Sequence, residues 1–432
     1  MHIYFSGIGG AAIGPLALIA HQAGFQVSGS DKQDSQYIQY LHKHGVTDVH
    51  IGQEYEQIAA VHDRKPIDWF VYTSALPMEQ PDAPELRFCE EQHIQATKRD
   101  EFLTFLLREK QLKLIAIAGT HGKTTTTAMT IWLCKQLSMP LSYSVGAKLG
   151  YGDMGEYDPA SEYFVYEADE FDRNFLAYEP YFSIITGIDW DHPDIYPTRD
   201  DYNVAFREFL EQSTWKLLWD ADAERLAWES GQPKTITLPA DDPAMTEQIT
   251  LPGLVNRQDA WLVVQALHHI TKRPLKELVA HINRFPGISR RFEALAPNLY
   301  TDYAHTPPKI RGALQLAHEV AGDNVVVVYE GLHNTRQHFI KEDLIHLFDG
   351  VKQLYIVPSY LAREDPNLPL LTPQDLRDLL DETVQAHAQP AALDATLAET
   401  IRGHLSRGDL VLALSAGGGN SLDEWLRKEF VS

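Results

Sequence analysis

The sequence predicts an α/β protein with parallel sheets, arranged as three successive units. Short apolar segments of strand length alternate with helical patterns along nearly the whole chain of 432 residues, which is typical of strands connected by helices in a parallel sheet. Two glycine-rich turns, at 7–14 and 119–125, each follow such a strand and open a helix. Boundaries near residues 98 and 288, the second just after a Phe-Pro-Gly breaker, predict domains at 1–98, 99–288 and 289–432.

Each unit is expected to contain several short buried strands. In the first domain we expect a helix that ends near residue 23 and strands at 2–5, 25–28 and 69–73. In the central domain we expect helices at 100–108 and 259–269 and strands at 112–118, 162–166 and 182–185. In the last domain we expect strands at 299–302, 324–329, 353–357 and 410–414.

The charge balance excludes some classes of partner. The chain has 37 basic and 60 acidic residues, which gives a formal net charge of −23. Coulomb repulsion from this charge opposes a broad nucleic-acid or anionic-membrane surface, so we expect no nucleic-acid partner. An anionic small ligand would need a local concentration of cations and backbone N–H groups. An apolar fraction of 44% is ample for several cores and argues against a disordered chain.

The cysteines and the apolar segments indicate the compartment. Cys89 and Cys134 show no CxxC or paired spacing, which is typical of a reducing compartment and excludes a disulfide scaffold. The N-terminal sequence has neither the basic nor the apolar region of a secretory leader. No apolar run approaches the roughly 20 residues of a membrane span. We therefore expect a cytoplasmic protein without membrane insertion. For its oligomeric state we expect a monomer or a homodimer.

The strongest functional motif is the sequence GTHGKTTTT at 119–127, between a predicted strand and a predicted helix. Glycines let backbone N–H groups point at phosphate oxygens, and the helix N-terminus adds positive potential. Lys123 can neutralise the terminal phosphates, and the Thr124 hydroxyl can ligate Mg²⁺. Ile117 stands where the general phosphate-loop pattern has its first glycine. The segment predicts a nucleotide-phosphate site.

Two acidic clusters follow predicted strands in the central domain. Glu167 begins the sequence EADE, and Asp189 begins the sequence DWDH, which ends at His192. Because the carboxyl ends of parallel strands converge on one crevice, both clusters can face the phosphate loop. With Thr124 they supply oxygen and imidazole ligands suited to one or two Mg²⁺ ions bound to ATP.

The first glycine turn, GIGGAAIG at 7–14, resembles a dinucleotide-binding fingerprint. Ala12 replaces its third glycine, and Asp31 follows at the end of the next strand. The pattern predicts a phosphate or pyrophosphate at a helix N-terminus without identifying the nucleotide. An NAD-dependent oxidoreductase would also fit this turn, although it has no use for a second phosphate loop.

The last third of the chain contains a group of polar residues around one predicted strand. Arg290 and Arg291 precede this strand, and the sequence DYAHTP at 302–307 follows it. Arg336 lies further along, in GLHNTR. Arginines bind phosphates or carboxylates with two parallel hydrogen bonds, and an aspartate at a strand end can accept from ribose hydroxyls.

Taken in order, these motifs resemble those of the Mur ligase family, most closely its L-alanine-adding branch. The similarity covers nearly the whole chain, through GIGGAAIG, GTHGKTTTT, EADE, DWDH, the LPG…N segment, GISRRFE, DYAH and NTR. It implies a three-domain Mur ligase architecture, with Rossmann-like N- and C-terminal domains and a central phosphate-loop ATPase domain. It also implies an ATP- and Mg²⁺-dependent ligase of peptidoglycan precursor synthesis. Such a ligase joins L-alanine to the lactyl carboxylate of UDP-N-acetylmuramate through an acyl phosphate.

The resemblance also implies roles for individual residues. The catalytic residues would be Lys123, Glu167, His192 and Arg336, and the Mg²⁺ ligands would be Thr124, Glu167 and His192. ATP would be bound by Gly119, Thr120, His121, Gly122, Lys123, Thr124, Thr125, Asn256, Arg291 and Asp302. The UDP-sugar would be bound by Gly9, Gly10, Ser30, Asp31 and Ser74, and the amino acid by Tyr303, His305 and Arg336.

Several positions depart from the family pattern. The residues that replace family-typical ones are Gly187, Val255, Asp259, Thr306 and His333. No lysine occurs in 200–212, where other branches carry a carbamylated one, and this favours the alanine-adding branch or its murein-tripeptide-recycling relative. The alternatives are therefore that recycling ligase, acting on the same UDP-sugar, an NAD-dependent oxidoreductase, and a non-catalytic nucleotide-binding protein.

Overall fold

Three sheets organise the chain. The computed structural model describes residues 1–192, 195–229, 231–361 and 364–431. By their contacts these residues divide into two compact units, Met1–Ile249 with Asp259–Phe285 and Thr250–Gln258 with Pro286–Ser432. The first unit contains two of the sheets and the second unit contains the third.

The first sheet is entirely parallel, in the order β3-β2-β1-β4-β5. Its strands are β1 (His2–Ser6), β2 (Gln26–Asp31), β3 (Val49–Ile51), β4 (Trp69–Tyr72) and β5 (Gln95–Lys98). The helices between them are α1 (Gly14–Gln22), α2 (Gln36–Lys43), α3 (Tyr55–Arg64), α4 (Ala75–Glu79) and α5 (Pro84–Glu91). Every residue of β1 is buried, because helices cover both faces of a parallel sheet. The order reverses at β1, so the carboxyl ends of β1 and β4 border a crevice.

The second sheet carries the phosphate-loop motif on its central strand. Its strands are β6 (Lys113–Ala118), β7 (Ser142–Ser144), β8 (Gly155–Glu156), β9 (Tyr163–Glu167), β10 (Phe182–Ile185), β11 (Trp215–Trp219) and β12 (Thr235–Leu238). They lie in the order β12-β11-β10-β6-β9-β7-β8, parallel except for the β7–β8 pair. The helices here are α6 (Arg99–Glu109), α7 (Lys123–Gln136), α8 (Arg199–Gln212), α9 (Asp220–Arg225), α10 (Pro243–Gln248), α11 (Leu254–Thr271) and α12 (Leu275–Ile282), with a 3₁₀ segment at Phe171–Ala177.

Helix α6 joins the first two sheets through an apolar face. The ring of Phe102 lies edge-on to Phe5 of β1, with centroids 5.3 Å apart, and to Trp69 of β4 at 5.6 Å. Side chains of both sheets belong to one continuous hydrophobic core. Burial of apolar surface across this junction fixes the first glycine turn and the phosphate loop in one compact unit.

The third sheet forms the core of the second unit. Its strands are β13 (Glu293–Ala296), β14 (Leu299–Asp302), β15 (Val325–Leu332), β16 (Gln353–Tyr360), β17 (Ala388–Pro390) and β18 (Leu410–Leu414). They lie in the order β13-β14-β18-β15-β16-β17, with only β13 antiparallel to its neighbour. The helices are α13 (Pro307–Ala321), α14 (Asn334–Leu344), α15 (Pro373–Asp378), α16 (Glu382–Gln385), α17 (Ala395–Ser406) and α18 (Leu422–Phe430).

Within the described ranges, no helix is both long enough and apolar enough to span a membrane.

Candidate active site

The phosphate loop follows β6 and leads directly into α7. Gly119 has φ +135° and Gly122 has φ +76°, in the region that favours glycine. A Cβ at Gly119 would collide with the hydroxyl of Thr186, and one at Gly122 would lie 2.6 Å from Oδ1 of Asp259. The backbone is therefore held close to its neighbours at both glycines, as a loop that wraps a phosphate requires.

Lys123 begins α7 and is already paired with a carboxylate. Its Nζ donates to Oε2 of Glu170 at 2.6 Å and to the carbonyl oxygen of Gly119 at 2.7 Å. Burial alone would lower the pKa of the Lys123 ammonium, but the carboxylates of Glu170 and Asp169 outweigh it and raise that pKa. The lysine therefore carries a full positive charge at the phosphate loop.

Glu170 connects the loop to the segment around His192. Its carboxylate is 1% exposed and accepts from the Tyr202 hydroxyl at 3.4 Å. The Nε2 of His192 lies 3.8 Å from its Oε1. Glu170 is not among the residues predicted from the motifs, although it lies in the EADE sequence. The signal that could have identified it is that Glu170 ends an acidic segment directly after a buried strand.

The other predicted residues of the central domain gather around this pair. Glu167 ends β9, opposite Ile117 of β6, and its Oε2 accepts from the N–H of Gly146 at 3.2 Å. Thr120 and the DWDH segment are joined through Asp189, whose N–H donates to the Thr120 hydroxyl at 2.8 Å. The remaining predicted loop residues, His121, Thr124 and Thr125, are half-buried.

The donor set fits Mg²⁺ bound together with a nucleotide. In the described part of the chain, no three His, Cys, Asp or Glu side chains form a complete metal cage. Mg²⁺ in nucleotide sites takes one or two protein ligands and fills its octahedron with phosphate oxygens and waters. The carboxylate of Glu167 and the hydroxyl of Thr124 are ligands of this kind, at the end of β9 and in the first turn of α7.

The first glycine turn is hydrogen-bonded to the end of β2, including Asp31. The N–H groups of Gly7 and Ile8 donate to the carbonyl oxygen of Ser30 at 2.8 and 2.9 Å. The N–H of Gly9 donates to Oδ2 of Asp31 at 2.9 Å, while Gly10 is exposed. The predicted residues Gly9, Ser30 and Asp31 are thus brought together, with Asp31 hydrogen-bonded to the turn.

A buried glutamate that motif reasoning missed lies beneath this turn. Glu85 is 1% exposed and accepts from the hydroxyls of Tyr4, Ser6 and Ser30. Burial raises the pKa of its carboxyl, against the opposing effect of the hydroxyl donors. Because these partners are 55 to 81 positions away in sequence, no local pattern could reveal the group.

The second unit carries a separate group of predicted residues. Oδ2 of Asp302 accepts from the N–H of Phe292 at 2.8 Å and Oδ1 from the N–H of Ala304 at 2.7 Å. Burial raises the pKa of the Asp302 carboxyl, against the opposing effect of Arg291 and these N–H donors. The guanidinium of Arg291 lies 4.8 Å from the ring centroid of Tyr303. Arg291, Asp302 and Tyr303 therefore form one cluster at the end of β14.

Three further predicted residues lie in the same unit. His305 lies beside Tyr303, with ring centroids 5.3 Å apart and its Nδ1 2.8 Å from the Tyr303 carbonyl oxygen. Asn256, in the first turn of α11, donates from Nδ2 to the carbonyl oxygen of Pro252 at 2.9 Å. Arg336 is half-buried on α14, and no hydrogen bond or ion pair within the described ranges connects it to Tyr303 or His305.

Comparison with known proteins decides the family. The description "Mur ligase family, catalytic domain" matches residues 2–111, and "Mur ligase middle domain" matches residues 117–252. A UDP-N-acetylmuramate–L-alanine ligase of a Nocardioides species is 30% identical over 428 residues, which is 96% of this chain and 93% of that protein. The chain belongs to the Mur ligase family. It is accordingly an ATP-dependent ligase that forms carbon–nitrogen bonds in peptidoglycan synthesis.

Solved structures confirm the predicted architecture. The UDP-N-acetylmuramate–alanine ligase MurC of Thermotoga maritima aligns with a TM-score of 0.73 at 21% identity, over 99% of this chain and 98% of that one. A murein peptide ligase of Psychrobacter arcticus aligns with a TM-score of 0.61 at 20% identity, over 100% and 99% of the two chains. The three-sheet α/β fold is that of the Mur ligases.

Proposed function

We propose that this ligase joins L-alanine to the lactyl carboxylate of UDP-N-acetylmuramate. ATP phosphorylates the carboxylate to give an acyl phosphate and ADP, the amine of L-alanine attacks the acyl carbon, and phosphate leaves. The observation that carries the proposal is the 30% identity to an L-alanine ligase, which extends over 93% of that relative's length.

The chemistry assigns the protein a task of neutralising charge and aligning groups. A carboxylate is a poor electrophile until phosphorylation converts one of its oxygens into a leaving group, and the phosphoryl transfer itself depends on positioning and electrostatics. Lys123 and the N–H groups of 119–125 would hold the β- and γ-phosphates. Mg²⁺, bound by Thr124, Glu167 and His192, would supply further neutralisation.

The remaining predicted residues would bind the other groups of the substrates. Asn256 would face adenine, and Arg291 with Asp302 would lie near the ribose and phosphates of ATP. Gly9, Gly10, Ser30, Asp31 and Ser74 would line the UDP-sugar site. Tyr303 and His305 would lie near the amino acid, whose carboxylate Arg336 would bind. The domains at 1–98, 99–288 and 289–432 would bind the UDP-sugar, ATP and the amino acid respectively, in a cytoplasmic enzyme.

An acceptor panel tests the proposal. Phosphate release is measured with purified protein, UDP-N-acetylmuramate, ATP and Mg²⁺, with L-alanine, glycine or the tripeptide L-Ala-γ-D-Glu-meso-diaminopimelate as the amine. We expect turnover that requires both the UDP-sugar and L-alanine. The matched control is Lys123→Met, which should abolish turnover while the fold remains. Turnover that survives this substitution would exclude the assignment of the phosphate loop.

The second candidate is a ligase that attaches the tripeptide to the same UDP-sugar. Two observations favour it: the fold match to a murein peptide ligase, and family-atypical residues such as Thr306 and His333 in the C-terminal unit. Turnover with the tripeptide but not with L-alanine would establish this alternative in place of the first.

A further inference from the structure

A short segment of unusual backbone lies between the two candidate ligand sites of the first unit. Asp172 and Arg173 have φ +53° and +56°, within the 3₁₀ segment Phe171–Ala177. Two successive left-handed residues that both carry a Cβ are disfavoured, and such residues persist where the surrounding structure holds them. We call residues 170–174 the strap.

The strap is fixed at three points, which belong to different parts of the unit. At its start Glu170 accepts from Lys123 of the phosphate loop at 2.6 Å. At its middle Asp172 accepts from Nζ of Lys98, the last residue of β5, at 2.5 Å. At its end Oδ1 of Asn174 accepts from the Ser74 hydroxyl at 3.3 Å. The strap therefore connects the phosphate loop to the carboxyl end of β4, where the sugar nucleotide is proposed to bind.

Arg173 presents an uncommitted charge on this strap. Its side chain is exposed, and the guanidinium carbon lies 5.7 Å from the centroid of the Tyr196 ring. Among the described residues, no carboxylate lies within 4.0 Å of its guanidinium. By contrast Lys98 is paired with Asp172, and the Nη2 of Arg99 lies 3.7 Å from Asp169.

The ring beneath Arg173 is itself held in place. The hydroxyl of Tyr196 donates to the carbonyl oxygen of Glu170 at 2.6 Å, and Tyr196 is fully buried. A guanidinium over an aromatic face keeps a preferred orientation while its N–H groups stay available at the edge. The strap thus offers an oriented cation that no described carboxylate pairs, in a chain whose net charge is −23.

We propose that Arg173 binds the carboxylate of the sugar nucleotide that ATP phosphorylates, an inference that rests on the proposed function. That carboxylate has to meet the γ-phosphate, and Lys123, the residue proposed to hold this phosphate, contacts the same strap. A guanidinium donates two parallel hydrogen bonds to a carboxylate. A protein carboxylate bound to Arg173 would compete with the substrate for these donors. Arg173 therefore selects a sugar nucleotide that carries an acid over one that does not.

Two UDP-sugars that differ in the lactyl acid test this selection. Dissociation constants for UDP-N-acetylmuramate and UDP-N-acetylglucosamine are measured by calorimetry on the full chain, for the wild type, Arg173→Gln and Arg173→Lys. We expect Arg173→Gln to weaken binding of UDP-N-acetylmuramate about tenfold to hundredfold, as for a lost charge-assisted contact, with no change for UDP-N-acetylglucosamine. Arg173→Lys should restore part of the difference because it retains the charge.

Arg199 provides a matched control. It is also exposed, and its guanidinium carbon lies 5.7 Å from the centroid of Trp190. Arg199→Gln should leave both dissociation constants unchanged, and thermal unfolding of each variant reports on its fold. Equal weakening of both UDP-sugars by Arg173→Gln, or of neither, overturns the assignment.

The outcome is separable from that of the proposed function. If the wild type releases phosphate with UDP-N-acetylmuramate and an amine but Arg173→Gln binds both UDP-sugars normally, only the role of Arg173 is wrong. If the wild type shows no turnover with UDP-N-acetylmuramate and any acceptor of the panel, the proposed function is wrong and the assignment of Arg173 falls with it.

Discussion

The buried pair of Lys123 and Glu170 gives a prediction that separates folding from nucleotide binding. Glu170 is 1% exposed and Lys123 is 19% exposed, and their N–O distance is 2.6 Å. Removing one member of a buried pair leaves an uncompensated charge and destabilises by about 3 to 5 kcal/mol, whereas replacing both members is close to neutral. The three variants Lys123→Met, Glu170→Gln and the double substitution should therefore differ in stability in a non-additive way.

The structure sets the expected size of each effect. After Lys123→Met, the Glu170 carboxylate keeps one side-chain donor, the Tyr202 hydroxyl at 3.4 Å. Because this donor remains, we expect the free energy of unfolding to fall by about 3 kcal/mol, the lower end of that range. Glu170→Gln leaves a lysine that can turn toward solvent, so its loss should be smaller, about 1 kcal/mol. The double variant should lie within about 1 kcal/mol of the wild type.

Thermal unfolding and ATP binding are measured on the same four proteins. A loss of about 3 kcal/mol corresponds to a fall in Tm of roughly 6 °C in a domain of this size. ATP binding should be lost in both variants that lack Lys123, including the double variant with its restored stability. If Lys123→Met unfolds at the temperature of the double variant, Lys123 does not compensate Glu170 and the reasoning is refuted.

Three further predictions concern the loop, the acidic segment and the acceptor. Gly119→Ala should abolish ATP binding by calorimetry, because φ is +135° and the new Cβ meets Thr186; unchanged affinity would contradict this. Burial raises the pKa of Asp222, which accepts from the N–H of Ile188 at 3.2 Å, from 3.8 to about 6. Its ionised form therefore lowers stability by about 3 kcal/mol above pH 6, and this penalty disappears as pH falls toward 4. Relative to Asp222→Asn, the wild type should gain stability in urea between pH 8 and pH 5, and a constant difference would argue against it. Arg336→Ala should raise KM for the amino acid with little change in KM for ATP, and a parallel rise in both would remove Arg336 from the acceptor site.

Many of the strands and helices could be predicted from the local pattern of apolar and polar residues. The strands Phe182–Ile185 and Leu410–Leu414 have the expected bounds, because every residue in each of them is buried. The strand Leu299–Asp302 also has the expected bounds, and its residues alternate between buried and half-buried. Helix α11 begins at Leu254, five residues before the expected start at 259, because the polar residues at 256–258 resemble a loop. Edge strands such as β8 are too short and too polar to be recognised without their partners.

Residues of the candidate site could be predicted from the sequence only where they lie together in one short segment. The phosphate loop is a local motif, so Gly119 to Thr125 could be identified from sequence. Glu170 and Glu85 owe their importance to burial and to partners between 32 and 81 positions away, which a pattern of neighbours does not contain. For the same reason, the left-handed backbone at Arg173 has no sequence signal, since neither Asp172 nor Arg173 is a glycine.

The acidic excess of the chain, with a net charge of −23, extends to the phosphate loop, where Lys123 is already paired with Glu170. A triphosphate that draws this lysine away from Glu170 would leave a buried carboxylate with the hydroxyl of Tyr202 and with His192, whose Nε2 is 3.8 Å away. Binding of the nucleotide therefore has to outweigh the loss of the Lys123–Glu170 ion pair. This loss weakens the binding of ATP that carries no bound cation. A divalent cation reduces this opposition by neutralising the phosphates before they meet the carboxylates. We expect ATP affinity to fall more steeply on removal of Mg²⁺ in the wild type than in Glu170→Gln, and equal dependence in both would show that Glu170 does not compete with the nucleotide.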